Sequence, residues 1–294
     1  MKHKSDDCGT LVLSKGPDLE RLNTSVNCRI CGKNNSLDSI GRSINGYPLF
    51  SCSYCQTAIV VRRPDVQEVA AVYDSLFREG EYEQHRAEYE TIKGGKRVHS
   101  FYRSYLLKRI ERSCSKGNMV EIGGGTGAFG VFVKSRGWQY VDYDISNVAV
   151  DYARKLGLRA HVFAVGKLPP LPRRSTDAAV MWEVIEHIWD VHSYLTTILE
   201  SLKPNGTLML STPNFDFQSE FEKTRPALCM PPVHINFFTE HSLKSTLEFA
   251  GFRNIQIIKR RLYRPILEIK SIIMSLGWGF GLYPPKTLYA IAKI

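Results

Sequence analysis

The sequence predicts an α/β fold, a mostly parallel sheet with helices on both faces, preceded by a small zinc-ribbon-like module and a helical connector. Three observations predict it. Apolar runs of strand length alternate with stretches of helical periodicity from Met119 onward, a glycine-rich turn follows the first of those runs, and two C-x2-C pairs lie far upstream. The 294 residues, 43% of them hydrophobic, suffice for one large domain and a small module and exclude a disordered chain. The expected divisions are an N-terminal segment (1–27), the cysteine module (28–61), the connector (62–116) and the α/β domain (117–294), with an insertion at 262–284 before the last strand.

The module rests on Cys28 and Cys31 in "CRIC" and Cys52 and Cys55 in "CSYC", separated by a polar, turn-rich stretch. Each C-x2-C turn aims two thiolates at one point, and two turns complete the tetrahedral sulfur shell that zinc accepts. With four protein ligands no coordination position is left for water, so the expected Zn2+ is structural. The seven cysteines are odd in number and no export signal is legible at the N-terminus, which argues for a cytoplasmic protein without a disulfide framework. Cys8, Cys114 and Cys229 read as ordinary thiols. No apolar run approaches the roughly 18 residues of a membrane span.

In the connector, Val66, Val69, Ala70, Tyr73 and Phe77 recur at helical spacing, and the Tyr-rich "EGEYEQHRAEYE" and Gly94-Gly95 interrupt the pattern. Beyond it, strands are expected at Met119–Ile122, Gln139–Tyr143, Ala178–Trp182, Thr207–Ser211, Ile255–Ile258 and in "TLYAIAKI". Helices are expected at Ala128–Ser135, after Ser146 as cap, from Val191 to "KPNG", and after Thr239 as cap.

The turn "EIGGGTGAFG" follows a strand and opens a helix, so Gly123, Gly125 and Gly127 let the backbone turn sharply and let a ligand approach its amides. Gly123, Gly125 and Ala128 also satisfy the dinucleotide pattern, and the glycines alone admit NAD. Glu121 decides between the two. A carboxylate just before the turn repels a pyrophosphate but suits the ammonium and sulfonium of S-adenosylmethionine. Asp144, followed by Ile145 at the end of the next strand, stands where a carboxylate accepts from both ribose hydroxyls, and Ser146 already supplies the helix cap.

With "VEIGGGTG", "DIS", "DAAVMWEVIEHI", "LKPNGTLMLSTPN" and "HINFFTEHSLKSTLEFAGF" in this order, the chain resembles the class I S-adenosylmethionine-dependent methyltransferases from Met119 to Ile258. The resemblance implies a Rossmann-like seven-stranded sheet whose last strand is antiparallel. It also implies that Glu121, Gly123, Gly125 and Gly127 hold the methionine portion, and Asp144 with Ile145 the ribose end. The chain departs from the family after the third strand, where "FAVGKLPPLP" offers Lys167 in place of an acid for the adenine amine. The upstream zinc module resembles that of sugar C-methyltransferases, and a ribosomal RNA guanine methyltransferase group also carries one.

The expected reaction is methyl transfer to a small, anionic acceptor such as a nucleotide sugar, glycan precursor or natural-product intermediate. Its sulfonium donor is already activated, so the protein must align the acceptor and, for acceptors that need it, remove a proton. His234 in "PPVHINFFT" is the first candidate base, with Phe237 and Phe238 excluding water; His187 in "EVIEHI" and Glu183 at the end of the fourth strand are the others. The formal charge of +10 concentrates between Lys93 and Lys116 and at Lys259–Arg264, which favours an anionic partner. An RNA-directed enzyme, or a non-catalytic zinc and RNA-binding protein, is the alternative reading of the same charge. The insertion 262–284 reads as a lid, a dimer surface, a membrane-touching segment or added packing, and the oligomeric state is open.

Overall fold

The structure, a computed structural model, describes residues 22–43, 46–65, 67–69, 81–95, 101–217, 230–258 and 287–294. Most of the first connector helix, the basic cluster after Ile258 and the insertion 262–284 lie outside the described residues.

The chain opens with four antiparallel strands, β1 (Leu22–Asn27), β2 (Asn34–Arg42), β3 (Pro48–Cys52) and β4 (Ala58–Val60). Helices α1 (Glu81–Lys93) and α2 (Phe101–Ser113) then lead into a strand-helix alternation. Its members are β5 (Asn118–Ile122), α3 (Ala128–Ser135), β6 (Gln139–Asp144), α4 (Asn147–Lys155), β7 (Arg159–Val162), β8 (Thr176–Trp182), α5 (Val191–Ser201) and β9 (Leu202–Pro213). The two-residue β10 (Asn236–Phe237), α6 (Glu240–Phe249), β11 (Arg253–Ile257) and β12 (Thr287–Lys293) follow.

Seven strands form one sheet in the order β11-β12-β9-β8-β5-β6-β7. The five from β7 to β9 run parallel, and β12 inserts antiparallel between β9 and β11. Both faces are covered, so the central strands are apolar at successive positions. Val120, Ile122, Ala179 and Met181 face a core shared with Leu195, Ile198, Leu243 and Leu247 of α5 and α6. Met119, Ala178, Val180 and Met209 face Leu106, Ile110, Phe129, Phe132 and Val150 of α2, α3 and α4. From β5 the chain steps outward to β6 and β7, then returns to β8 on the other side. The end of β5 therefore lies at the topological switch point, where open α/β sheets bind ligands.

The helix caps lie at the polar residues that precede each apolar period. The Ser146 hydroxyl accepts from Ala149 N–H at 3.2 Å, and Thr239 and Ser242 form a reciprocal capping box. The "KPNG" turn does not precede β9 but is drawn into it, with Asn205 at φ 66°.

The small sheet has the order β1-β2-β3-β4-β10. Its first strand comes from the segment read as N-terminal extension, and its last comes from the α/β domain: Asn236 pairs with Ile59 and Phe237 with Ala58. All three residues of β4 are buried, and the loop after β9 closes an edge too apolar to face water. Cys28, Cys31, Cys52 and Cys55 belong to the same core cluster as the α5/α6 face of the large sheet. None of the described helices is long and apolar enough to cross a membrane.

Candidate active site and cysteine centre

The glycine turn after β5 is tied down from both sides. Gly123 N–H donates to Tyr143 O at 2.8 Å, Gly124 N–H to Asp142 Oδ1 at 3.0 Å and Gly125 N–H to Asp144 Oδ2 at 3.1 Å. Gly123, Gly125 and Gly127 all have positive φ, but their surroundings differ. A Cβ on Gly123 would meet Val184 at 2.6 Å and one on Gly127 would meet Leu158 at 2.5 Å, whereas one on Gly125 would meet nothing within 4 Å. Gly123 and Gly127 are thus glycines for packing, and Gly125 borders open space.

That space is a cavity of about 470 Å³, within the range of small-molecule sites. Its wall includes Glu121, Gly123, Gly124, Gly125, Thr126, Phe129, Trp182, Glu183, Ser211 and Tyr289. Glu88 of α1 reaches it from the connector, where its carboxylate accepts from the Thr126 hydroxyl at 2.6 Å.

Three carboxylates gather beneath the turn. Glu121 is buried and accepts from the Tyr140 hydroxyl. Asp144 accepts from Gly125 N–H and, at 2.7 Å, from Ser146 N–H. Asp142, between them, is fully buried with one oxygen unpartnered. Burial pushes its pKa up to about 8, and the charges of Glu121 and Asp144 push in the same direction. The charges of Glu121 and Asp144, with Asp142 holding its proton at neutral pH, suit a cationic ligand. Ile145, 48% exposed, offers an apolar surface just beyond Asp144.

At the end of β8, Glu183 stands on the cavity wall in a left-handed conformation, φ 54°, that costs a non-glycine residue energy and often marks a functional position. Its carboxylate accepts from the Ser211 hydroxyl at 2.6 Å. Although the side chain opens onto the cleft, the surrounding walls push its pKa up to about 7, against the opposing Ser211 hydrogen bond. His187 follows in a short 3-10 turn, half-buried, with Nδ1 2.9 Å from Val233 O. His234 is only 7% exposed and packs its ring edge-on against His187, centroids 4.7 Å apart.

His234 therefore does not face the cavity as an open loop residue would. Ile235 N–H bonds to Glu186 O, the Asn236 amide donates to Ile185 O and Ile188 O, and β10 joins β4, so the loop is drawn into the interior. Phe237 packs in the small-sheet core and Phe238 in the main core, so neither shields the cavity.

The four cysteines converge as expected. Cys28 and Cys55 sulfurs are 4.0 Å apart, as are Cys31 and Cys52, and all four lie within 4.8 Å of one another. A tetrahedral ion with sulfur bonds of about 2.3 Å needs sulfur separations of about 3.8 Å, so the set fits a metal with little movement. Between the first two cysteines, Arg29 turns inward. It donates to Trp189 O at 2.8 Å, Asn236 Oδ1 at 2.5 Å, Val60 O at 2.9 Å and Ile235 O at 3.0 Å, with its guanidinium 4.2 Å from the Trp189 ring centroid.

A methyltransferase domain model matches residues 95–257, more than half of the chain. The chain belongs to this methyltransferase domain family. Among curated proteins, a "Probable S-adenosylmethionine-dependent methyltransferase" of Mycobacterium tuberculosis is 29% identical over 151 residues, covering 51% of this chain and 54% of the relative. A ubiquinone biosynthesis O-methyltransferase of Rickettsia prowazekii is 26% identical over 183 residues, covering 60% and 69%. The chain thus spans about half the length of the first of these relatives. A solved Thermotoga maritima methyltransferase superposes with a TM-score of 0.51 at 20% identity, over 76% of this chain and 98% of that one, which establishes the shared fold.

Within this methyltransferase domain, Glu121, Gly123, Gly125 and Glu183 stand on the cavity wall and Asp144 is bonded to it through Gly125 N–H, whereas Gly127 packs against Leu158 and Ile145 follows Asp144 at the surface. Sequence reading missed Asp142, Trp182, Ser211, Tyr289 and Glu88. Asp142 carries a local signal, since an acid two residues before Asp144 on a buried strand shares its face. Tyr289 and Glu88 have none, because they reach the cavity through the antiparallel β12 and the connector.

Proposed function

We propose that the protein transfers a methyl group from S-adenosylmethionine to a small acceptor. The observation that carries this reading is the open face of Gly125 above Glu121, Asp142 and Asp144. Bare backbone admits the donor there, and the charges of Glu121 and Asp144, which hold the proton on Asp142 between them, favour a sulfonium and an ammonium over a pyrophosphate. The apolar surface of Ile145 and the two oxygens of Asp144 support placing the nucleoside end at the tip of β6.

Glu183 is the acceptor-side base in this reading. It lies on the cavity wall, oriented by Ser211, and can take a proton as the acceptor attacks the methyl. His187 and His234 stand behind it. The acceptor is small and anionic, a reading supported by the basic surface of α2, where Lys108 and Arg112 are exposed, and consistent with nucleotide-sugar or natural-product C- or O-methylation. The four cysteines hold a structural Zn2+, as in sugar C-methyltransferases that this chain resembles.

Calorimetry tests the donor: the expectation is micromolar binding of S-adenosylmethionine and of its demethylated product, and tight NAD binding with no response to either sulfur ligand would overturn the assignment. A screen of anionic acceptors with labelled donor then tests the reaction. Glu183→Gln should lower turnover roughly a hundredfold while leaving donor affinity nearly unchanged.

A further inference from the structure

Behind the cavity wall, Glu186, His187 and His234 converge. One ligand atom from each lies within 4.8 Å of the others. Glu186 is 1% exposed; its Oε2 accepts from the Thr212 hydroxyl at 3.0 Å, but its Oε1 is buried with no hydrogen-bond partner. A buried carboxylate oxygen left without a donor is costly, and its neighbour is His187 Nε2 at 4.0 Å. The other ring nitrogen, Nδ1, lies 2.9 Å from the carbonyl of Val233. A carbonyl only accepts, so Nδ1 carries the proton and Nε2 presents its lone pair toward Glu186. A backbone carbonyl fixing the tautomer in this way is the usual support of a metal-bound imidazole.

We propose that Glu186, His187 and His234 form a second metal site, distinct from the four-cysteine centre, that takes a divalent first-row transition cation. Two imidazoles and one carboxylate select such an ion over calcium or magnesium, which prefer all-oxygen shells, and the absence of thiolate disfavours the softer ions that a cysteine set attracts. Ligand bonds of about 2.1 Å place neighbouring donors about 3 to 4 Å apart, so the three side chains need to close by about 1 Å around the ion. The frame is suited to hold them. Glu186 and Ile235 are joined by a backbone hydrogen bond, and Asn236 ties the His234 loop to the 3-10 turn that bears Glu186 and His187. Half-buried His187 provides the route for the ion from solvent.

Three protein ligands leave positions open. Glu183, three residues before Glu186, is on the cavity wall, so a cation here lies behind the proposed base and its charge acts on the acceptor subsite across that wall. In that state His187 and His234 serve as ligands, while Glu183 takes the acceptor's proton. This role rests on the methyltransferase reading; the metal binding does not.

The test uses the full chain with its cysteine-bound metal retained and titrates it with Mn2+, which thiolates bind weakly, following free ion by electron paramagnetic resonance. One Mn2+ per chain is expected, displaced by Zn2+, with the imidazole signals of two of the eight histidines broadened first. Glu186→Gln, which keeps the shape and the Thr212 contact, and His234→Ala should each weaken binding at least tenfold, with near-ultraviolet circular dichroism confirming the fold. A folded chain that retains no Mn2+ near millimolar concentration, or that broadens other histidines, overturns the site; so does unchanged affinity in both variants. Should either variant unfold, the wild-type broadening pattern decides. Mn2+ binding without any donor binding would leave the site standing and remove the methyltransferase reading.

Discussion

Arg29→Met isolates the link between the cysteine module and the catalytic edge. Methionine fills most of the same volume but removes four donors, to Trp189 O, Asn236 Oδ1, Val60 O and Ile235 O. Ile235 O keeps the Val60 N–H at 3.0 Å, so up to three buried acceptors are left unpaired, each costing about 1–3 kcal/mol, a gross loss of about 3–9 kcal/mol. Against this stands the cost of burying the charge. Desolvation pulls the guanidinium pKa down to about 9, so it stays charged at neutral pH, and removing it returns several kcal/mol of that penalty. The net expectation is a loss of about 3–5 kcal/mol in unfolding free energy, the usual scale for breaking a buried ionic network. Urea denaturation reads this directly. Because two of the acceptors are Asn236 of β10 and Ile235 just before it, amide exchange should accelerate there while the glycine turn stays protected, and turnover should fall more than tenfold with donor affinity held within about twofold. A stability loss under about 1 kcal/mol, or unchanged exchange at β10, would refute the idea that Arg29 is the pin.

Other consequences can be checked as directly. Gly125→Val should lower donor affinity at least a hundredfold in calorimetry, because its side chain enters the cavity instead of a packed wall, and it should also cost some stability because φ 57° strains a β-branched residue. If the proposed cysteine metal is present, a chelator should unfold the small sheet before the large one, and amide exchange should show β3, β4 and β10 opening together. Asp142 has a folded pKa near 8 against 3.8 for the free group, so the native state holds the extra proton between those values. Its contribution to stability therefore falls as pH rises from about 4 to about 8. Asp142→Asn, which mimics the protonated form and can still accept from Gly124, should flatten urea midpoints measured at pH 5, 7 and 9; an unchanged slope would count against this assignment.

The parallel core was legible because its strands are buried on both faces, so "AAVMW" reads as an unbroken apolar run and "MVEI" as one interrupted only by Glu121, between glycine and helix signals. The cysteine set was legible because chelation demands fixed spacing. Strand β1, "LNTSVN", carries no apolar alternation, and β10 is two residues long, so neither leaves a local pattern. Arg29 reads as a solvated charge between two cysteines until the fold brings Trp189 and Asn236 to it. His234 was misjudged for the same reason: loop composition suggested exposure, while partners far away in sequence draw it inside. Long-range pairing, not propensity, decides these positions.

The pairing of β4 with β10 joins residues 59 and 236, and this separation sets an order of events during synthesis. Strands β1 to β4 emerge before β10 and can fold around the four-cysteine cluster, but they wait with the buried-type edge Ala58–Val60 uncovered until the chain beyond Phe237 has emerged. At about 5–20 residues per second that wait lasts on the order of ten to thirty seconds. During it, the open edge is a ready template for the same edge of a neighbouring nascent chain. Expression yield should therefore depend on translation speed and on chaperone supply more than the stability of the finished molecule would suggest.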